Sequence, residues 1–125
     1  MTSAWPTATG ATNVQWVWSP NIPYWGSTPL AGLYPGAGYV DVVGLDGYNW
    51  GRSQRLSRWR SFDAVFADSY ARMVALAPGK PLMLAEVGCA EEGGDKAAWM
   101  RDAFLAAIPG RYPALRAVAW FNASP

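Results

Sequence analysis

Four apolar segments of strand length, joined in part by helical patterns, constrain the fold of this chain most strongly. They cover residues 14–18, 40–45, 82–85 and 115–121, and each is rich in β-branched or aromatic residues. None alternates strictly between apolar and polar residues, which is typical of strands that are covered on both faces. The segments therefore predict an α/β protein with a parallel sheet.

Two of the three connections have helical periodicity. Residues 61–77 place apolar side chains at helical spacing between a Ser61 cap and a Pro-Gly pair, and residues 96–108 do so between Asp95 and a second Pro-Gly pair. The connection from residue 18 to residue 40 is rich in proline and glycine, so it is predicted to be mostly loop. Because crossovers between parallel strands are almost always right-handed, the carboxyl ends of the strands are expected at one edge.

A carboxylate is expected at that edge. Glu86 ends the third apolar segment and precedes a polar, glycine-rich stretch, a position at which α/β proteins place reactive groups. Other side chains are predicted to converge on the same edge, namely Asn21, Asp46, Tyr48, Trp50 and Trp120. Glu86 is therefore the candidate reactive group.

Composition excludes several classes of function. The net charge is +1 and the basic residues form no cluster beyond four scattered arginines at residues 52–60, so neither nucleic acid nor an anionic membrane is an expected partner. The chain has no histidine and one cysteine, Cys89, which excludes an internal disulfide, the usual zinc and iron sites, and nucleophiles paired with histidine. No metal and no cofactor are expected. The sequence has no signal-peptide pattern, and no apolar run approaches the roughly 18 residues of a membrane span.

Tryptophan is unusually frequent, with eight copies. Flat rings with a polar edge suit stacking on the faces of sugar rings, although large aromatic residues also fill protein cores. Trp18, Trp50 and Trp120 fall at or just beyond the ends of predicted strands, which favours binding, whereas Trp99 lies within a predicted helix and is expected to pack.

Several motifs in order along the chain carry a family resemblance. They are NVQWVWSPN at residues 13–21, DVVGLDGYNWG at residues 41–51, GKPLMLAEVG at residues 79–88 and AWFN at residues 119–122. Together they resemble glycoside hydrolase family 26, the β-mannanase family, from residue 10 onward. That family folds as an eight-stranded (β/α) barrel and hydrolyses β-1,4-linked mannans with retention. The resemblance implies that residues 10–125 are the C-terminal half of the barrel, with strands five to eight, and that residues 1–9 are an unmatched leader.

The resemblance also implies roles for individual residues. Glu86 matches the catalytic nucleophile, and Tyr48 matches the tyrosine that hydrogen-bonds and orients it. Substrate-binding positions fall on Asp46, Tyr48, Trp120 as the platform beneath the sugar, and Trp18 as an aromatic wall, with Trp16 as its alternative. The alternative interpretation of Glu86 is a buried acid that braces the strand ends.

One required group is missing from the sequence. Retaining hydrolysis needs a second carboxyl group about 5 to 5.5 Å from the nucleophile, and in the family it precedes the position equivalent to residue 13. This chain has no Asp or Glu before Asp41, so we expect a truncated catalytic domain without its acid/base. Asp46 could substitute only from the wrong side of the sugar. Glu91 and Glu92 are expected to be solvated, and Cys89 to pack as a small residue.

Two functional hypotheses remain open from the sequence. The first is a hydrolase portion that is inactive without the missing half, and the second is a catalytically silent half-barrel that binds a β-linked polysaccharide. A fragment that folds poorly is the third and simplest alternative. Glucan or β-1,3-xylan could replace mannan as substrate within the same family. Open strand edges predict self-association, and only the resemblance predicts an extracellular location.

Overall fold

A computed structural model describes residues 10–122 of the chain, and the predicted leader at residues 1–9 lies outside the described residues. Four parallel strands form one sheet in sequence order: β1 (Val17–Trp18), β2 (Val42–Asn49), β3 (Leu82–Cys89) and β4 (Leu115–Trp120). The helices are α1 (Leu30–Leu33), α2 (Phe62–Leu76), α3 (Lys96–Arg101), a π-helical stretch (Asp102–Ala107) and α4 (Ile108–Arg111). The predicted α/β class with parallel strands is confirmed. No helix in this part of the chain is long and apolar enough to cross a membrane.

The strand boundaries differ from the predicted ones. β1 forms ladder pairs only at Val17 and Trp18, because the backbone N–H of Trp16 is bonded to the side chain of Asp41 instead, at 2.7 Å. β2 and β3 each continue four residues further than predicted, to Asn49 and Cys89. Their pairing runs on to the end of both strands, so Glu86 lies inside β3 and the prediction that a loop follows it at once was wrong.

The helix predictions are correct at their starts. The Ser61 hydroxyl accepts the Ala64 N–H at 3.1 Å to cap α2, and Asp95 caps α3 by accepting the Ala98 N–H at 2.9 Å. The predicted stop at the second Pro-Gly pair was wrong, since helical structure continues to Arg111. Pro109 lies within this continuous helical run, directly after the π-helical stretch, and has no backbone N–H to donate there.

The hydrophobic core lies between the sheet and the helices. Phe66 and Met73 of α2 are fully buried, as is Leu45 of β2. Alternate positions of β2 point away from this core and include Asp46 and Tyr48, so in the described residues the helices cover one face only. The prediction of strands covered on both faces was therefore wrong for this part of the chain, and the second face is left to form a site.

Candidate functional site

An open cleft lies at the carboxyl ends of β2 and β3. Its volume is about 590 Å³, and its walls come from both strands and from the loops that follow β1 and β2. The polar and aromatic lining residues are Asn21, Tyr24, Asp46, Tyr48, Trp50, Arg60 and Glu86. Five of the six residues predicted to converge on this edge are thus present together, and Trp120 is not among them.

A bulge in β3 directs Glu86 into the cleft. Leu45 pairs with Leu84 whereas Asp46 pairs with Glu86, which leaves Ala85 as an extra residue on β3. The extra residue reverses the alternation of the strand: Leu84 is buried in the core before it, and Val87 is buried in the core after it. Without the bulge, Glu86 would share the face of Leu84 and point at the helices.

Tyr48 holds the Glu86 carboxylate. The phenol donates a hydrogen bond to Oε2 of Glu86, the contact that the family resemblance implied for this pair. Gly88 leaves room for the Tyr48 ring, because a Cβ atom at this position would lie only 2.9 Å from the ring. Only glycine therefore fits at position 88. Burial raises the pKa of Tyr48 above its usual range, and the hydrogen bond to Glu86 and the negative charge nearby raise it further. The phenol therefore keeps its proton near neutral pH and is the donor of the pair.

Asp46 is the neighbour of Glu86 across the strand pair. Its Oδ1 accepts a hydrogen bond from the Ser19 hydroxyl at 2.8 Å. Burial raises the pKa of the Asp46 carboxyl and the charge of Glu86 adds to the rise, while the bond from Ser19 opposes it. Ser19 was not among the predicted site residues; the signal that could have identified it is its place just beyond the first apolar segment.

Two aromatic rings flank Tyr48 and form a second, smaller cleft of about 270 Å³. The ring of Trp50 lies 4.9 Å from that of Tyr48, and the ring of Phe121 meets it edge-on at 5.9 Å. Both rings are about half exposed, at 48% for Trp50 and 50% for Phe121. Phe121 was missed from the sequence, where Trp120 was chosen for this place.

The structure places Trp18 and Trp120 away from the cleft. The ring of Trp18 packs against Tyr34 at 5.1 Å. The ring of Trp120 lies 6.3 Å from Trp99 and 6.2 Å from Phe104, both of which belong to the helical layer. Neither tryptophan lines the cleft, so their predicted role in substrate binding stays a prediction without a contact here to support it.

Asn49 fixes the loop that follows β2. Its side chain is fully buried, and its Oδ1 accepts the N–H of Gly51 at 3.2 Å and that of Arg60 at 2.9 Å. Its Nδ2 donates to Sγ of Cys89 at 3.3 Å. Every polar atom of this buried amide thus has a partner, and the loop that carries Trp50 and Arg60 is tied to the end of β3. Sequence reasoning missed this residue.

The remaining candidate residues, Cys89, Glu91 and Glu92, do not line the cleft that contains Glu86. Cys89 is buried, as expected, and burial raises the pKa of its thiol. Glu91 and Glu92 are exposed, and Glu91 forms an ion pair with Lys96 at 3.0 Å. Among the acids of the described residues, Asp46 and Glu86 are therefore the ones that line the cleft.

The raised pKa of Tyr48 predicts a loss of stability in alkali. In the unfolded chain the phenol loses its proton near its ordinary pKa of 10.0, while the folded chain retains it. The unfolded state then binds fewer protons, so the free energy of unfolding falls as the pH rises above that value. Urea unfolding between about pH 8 and about pH 11 should show that the free energy of unfolding falls less steeply with pH in Tyr48→Phe than in the unaltered chain. Tyr112 and Cys89, whose pKa values are also raised by burial, contribute to the slope that remains in the variant, and equal slopes for the variant and the unaltered chain would contradict the assignment.

Comparisons with known proteins agree with this geometry. A family model described as glycosyl hydrolase family 26 matches residues 6–104, and so begins within the segment predicted as a leader. The chain is 43% identical to Endoglucanase H of Acetivibrio thermocellus over 92% of its own length and 13% of that protein. It is 33% identical to "Mannan endo-1,4-beta-mannosidase A and B" of Caldalkalibacillus mannanilyticus over 81% of its length and 16% of that protein.

The chain thus spans less than a fifth of either relative. The family match nevertheless covers most of the chain and includes Asp46, Tyr48 and Glu86, which the structure brings together in one cleft. The resemblance stated from the sequence motifs is confirmed. The chain belongs to glycosyl hydrolase family 26.

Proposed function

We propose that the chain is the nucleophile-bearing portion of a retaining glycoside hydrolase that acts on β-1,4-mannan-type polysaccharide. The observation that carries the proposal is the hydrogen bond from Tyr48 to Glu86 in an open cleft. A nucleophilic carboxylate must stay ionised beside the anomeric carbon, and a hydrogen bond donated to it favours that form and fixes its direction. Glu86 has both the partner and the access to solvent that this role requires.

The acid/base carboxylate is proposed to lie outside these 125 residues. No Asp or Glu precedes Asp41, and Asp46 is the acid beside Glu86 in the cleft. Asp46 belongs to the strand next to Glu86, and its Oδ1 is occupied by the Ser19 hydroxyl. We assign it a supporting role in binding substrate, together with Tyr48, and we expect the chain alone to be inactive.

The same proposal assigns the four strands to positions five to eight of a (β/α) barrel, so that residues 10–125 are a half-barrel. Their parallel order and the helices on a single face support this assignment. The edges at β1 and β4 are open within the described residues, and pairing of two chains through them is part of the proposal. An extracellular location is proposed from the family alone.

Glucan is a second candidate substrate, because the relative with the higher identity is named an endoglucanase. β-1,3-Xylan has no such support. The two main candidates differ in the configuration of one hydroxyl group, at C2 of the sugar. Subsites that read this hydroxyl decide between them.

Polysaccharide retention and sugar release test the proposal together. The chain should be retained on insoluble mannan, or on β-1,4-glucan if the second candidate is correct, while releasing no reducing sugar beyond the level of Glu86→Ala. Release by the unaltered chain above that of Glu86→Ala would show that the acid/base is not missing. Retention on neither polysaccharide would contradict a sugar-binding cleft.

A further inference from the structure

A third cleft, of about 330 Å³, adjoins the one that contains Glu86. The two share Tyr48, Trp50 and Arg60 in their walls, so a chain of sugars could pass from one into the other. The volume lies at the lower end of the range of small-ligand sites, ~300–1,000 Å³. The cleft with the carboxylates contains Arg60 together with Asp46 and Glu86, whereas this one is lined by two cations, Arg58 and Arg60, and by no acid.

These cations belong to a segment without acidic residues. Residues 51–62 contain four arginines and no Asp or Glu. Within residues 10–122 the ion pairs join other residues, and none of these four arginines takes part in one. Arg60 is half-buried and donates from Nη2 to the carbonyl of Ala64, which leaves most of its donors unused by that contact. The guanidinium groups are thus available to an anion from outside.

The segment that carries these arginines has a fixed backbone. The Ser57 hydroxyl lies within hydrogen-bond distance of two carbonyl oxygens, those of Gly51 at 2.7 Å and Gln54 at 2.8 Å, and can donate to either. The far end is held by Asn49 through the N–H of Arg60. Because the backbone is already ordered, a ligand would bind these side chains without the cost of ordering the loop.

We infer that this arginine-lined cleft binds a uronate residue, or another sugar bearing a carboxylate, next to the cleavage site. Trp50 offers an exposed ring face for the apolar side of the sugar, and a guanidinium matches a carboxylate in two parallel hydrogen bonds. The negative charges of Asp46 and Glu86 disfavour an anion in the cleft that they line. The carboxylate of the sugar is therefore bound in the adjoining cleft, which is lined by arginines. The inference rests on the proposed function, because it takes the ligand to be a polysaccharide.

A matched pair of disaccharides tests the inference. β-1,4-Mannobiose and β-1,4-dimannuronate have the same linkage and configuration and differ only in the C6 alcohol or carboxylate. Binding to the full chain is followed by the NMR shift of the Trp50 indole N–H, assigned with a Trp50→Phe variant. At low salt, dimannuronate should bind about three- to five-fold more tightly than mannobiose, as expected for exposed charge pairs. Added salt should reduce this preference.

Two variants with the same change in charge separate a local contact from a general attraction. Arg58→Gln should reduce the preference for dimannuronate over mannobiose, whereas Arg55→Gln, in an exposed residue that does not line the cleft, should preserve it. The inference is overturned if the two sugars bind equally, if mannobiose binds more tightly, if the two variants behave alike, or if dimannuronate fails to bind. Binding of mannobiose alone would overturn the inference and leave the proposed function standing. If neither sugar binds, the inference is also overturned, and covalent labelling of Glu86 then tests the proposed function separately.

Discussion

A chain carrying Glu86→Gln is expected to form no covalent adduct with 2-deoxy-2-fluoro-β-mannosyl fluoride, whereas the unaltered chain forms one adduct per molecule. In a retaining glycosidase the nucleophile bonds to the anomeric carbon as the leaving group departs. Fluoride departs without being protonated, so this step does not need an acid/base carboxyl group. The fluorine at C2 destabilises the positively charged transition state of hydrolysis, and the adduct therefore accumulates.

The adduct is counted by mass spectrometry of the intact protein. Glu92→Gln is the matched control, because Glu92 is an exposed glutamate close in sequence that does not line the cleft. It should be labelled like the unaltered chain. Equal labelling of Glu86→Gln and the unaltered chain would remove Glu86 from the role of nucleophile. The matching reagent with the gluco configuration, 2-deoxy-2-fluoro-β-glucosyl fluoride, can be compared in the same way. If it reacts faster than the mannosyl reagent, glucan is favoured as the substrate.

Replacing Phe66 with alanine is expected to destabilise the fold more than any other change considered for this chain. The ring is fully buried, packs against Phe62 at 4.9 Å and lies where a Cβ atom at position 47 would be 2.7 Å from it. Truncation of a buried phenylalanine costs about 3 to 5 kcal/mol, and small domains are typically stable by only about 5 to 15 kcal/mol. Removing the ring therefore consumes a large share of the stability and leaves a cavity beneath β2.

Urea unfolding followed by tryptophan fluorescence measures this effect. Leu105→Ala is the control, since Leu105 is 76% exposed and its truncation should change stability by less than about 0.5 kcal/mol. A cost for Phe66→Ala similar to that for Leu105→Ala would mean that the core does not lie between α2 and the sheet.

The elements with strong local signals were predictable from the sequence. α2 has a serine cap, helical spacing and a Pro-Gly stop, and it begins and ends within a residue of the predicted limits. The parallel direction of β2, β3 and β4 was predicted from the helical connections between them. The meeting of Asp46, Tyr48 and Glu86 was also predicted, because carboxyl ends of parallel strands share one edge.

The orientation of individual side chains was not predictable in the same way. A bulge at Ala85 is set by strand pairing and has no local sequence signal, yet it decides that Glu86 points into the cleft. At the end of β4, adjacent residues point to opposite sides, so Phe121, directly after the strand, meets Tyr48 while Trp120, its last residue, packs on the helices. Choosing between two neighbouring aromatic residues requires the register of the strand, which the motif alone does not fix.

Contacts between loops were likewise beyond sequence reasoning. Asn49 accepts the N–H of Arg60, which is eleven residues away, and a Cβ atom at position 51 would lie 2.0 Å from the carbonyl of Glu92. Gly51 has a φ of 51°, so both its conformation and its surroundings require glycine. The first contact depends on how the loop after β2 folds back on the end of that strand, and the second on how close this loop comes to the loop after β3.

Mapping the site of the fluorosugar label shows which residue of the cleft is the nucleophile. After proteolysis of the labelled chain, tandem mass spectrometry locates the residue that carries the sugar. A single ester is expected on Glu86, with Tyr48 and Asp46 unmodified. A label on Asp46 or on any residue outside the cleft would contradict the assignment of Glu86 as the nucleophile.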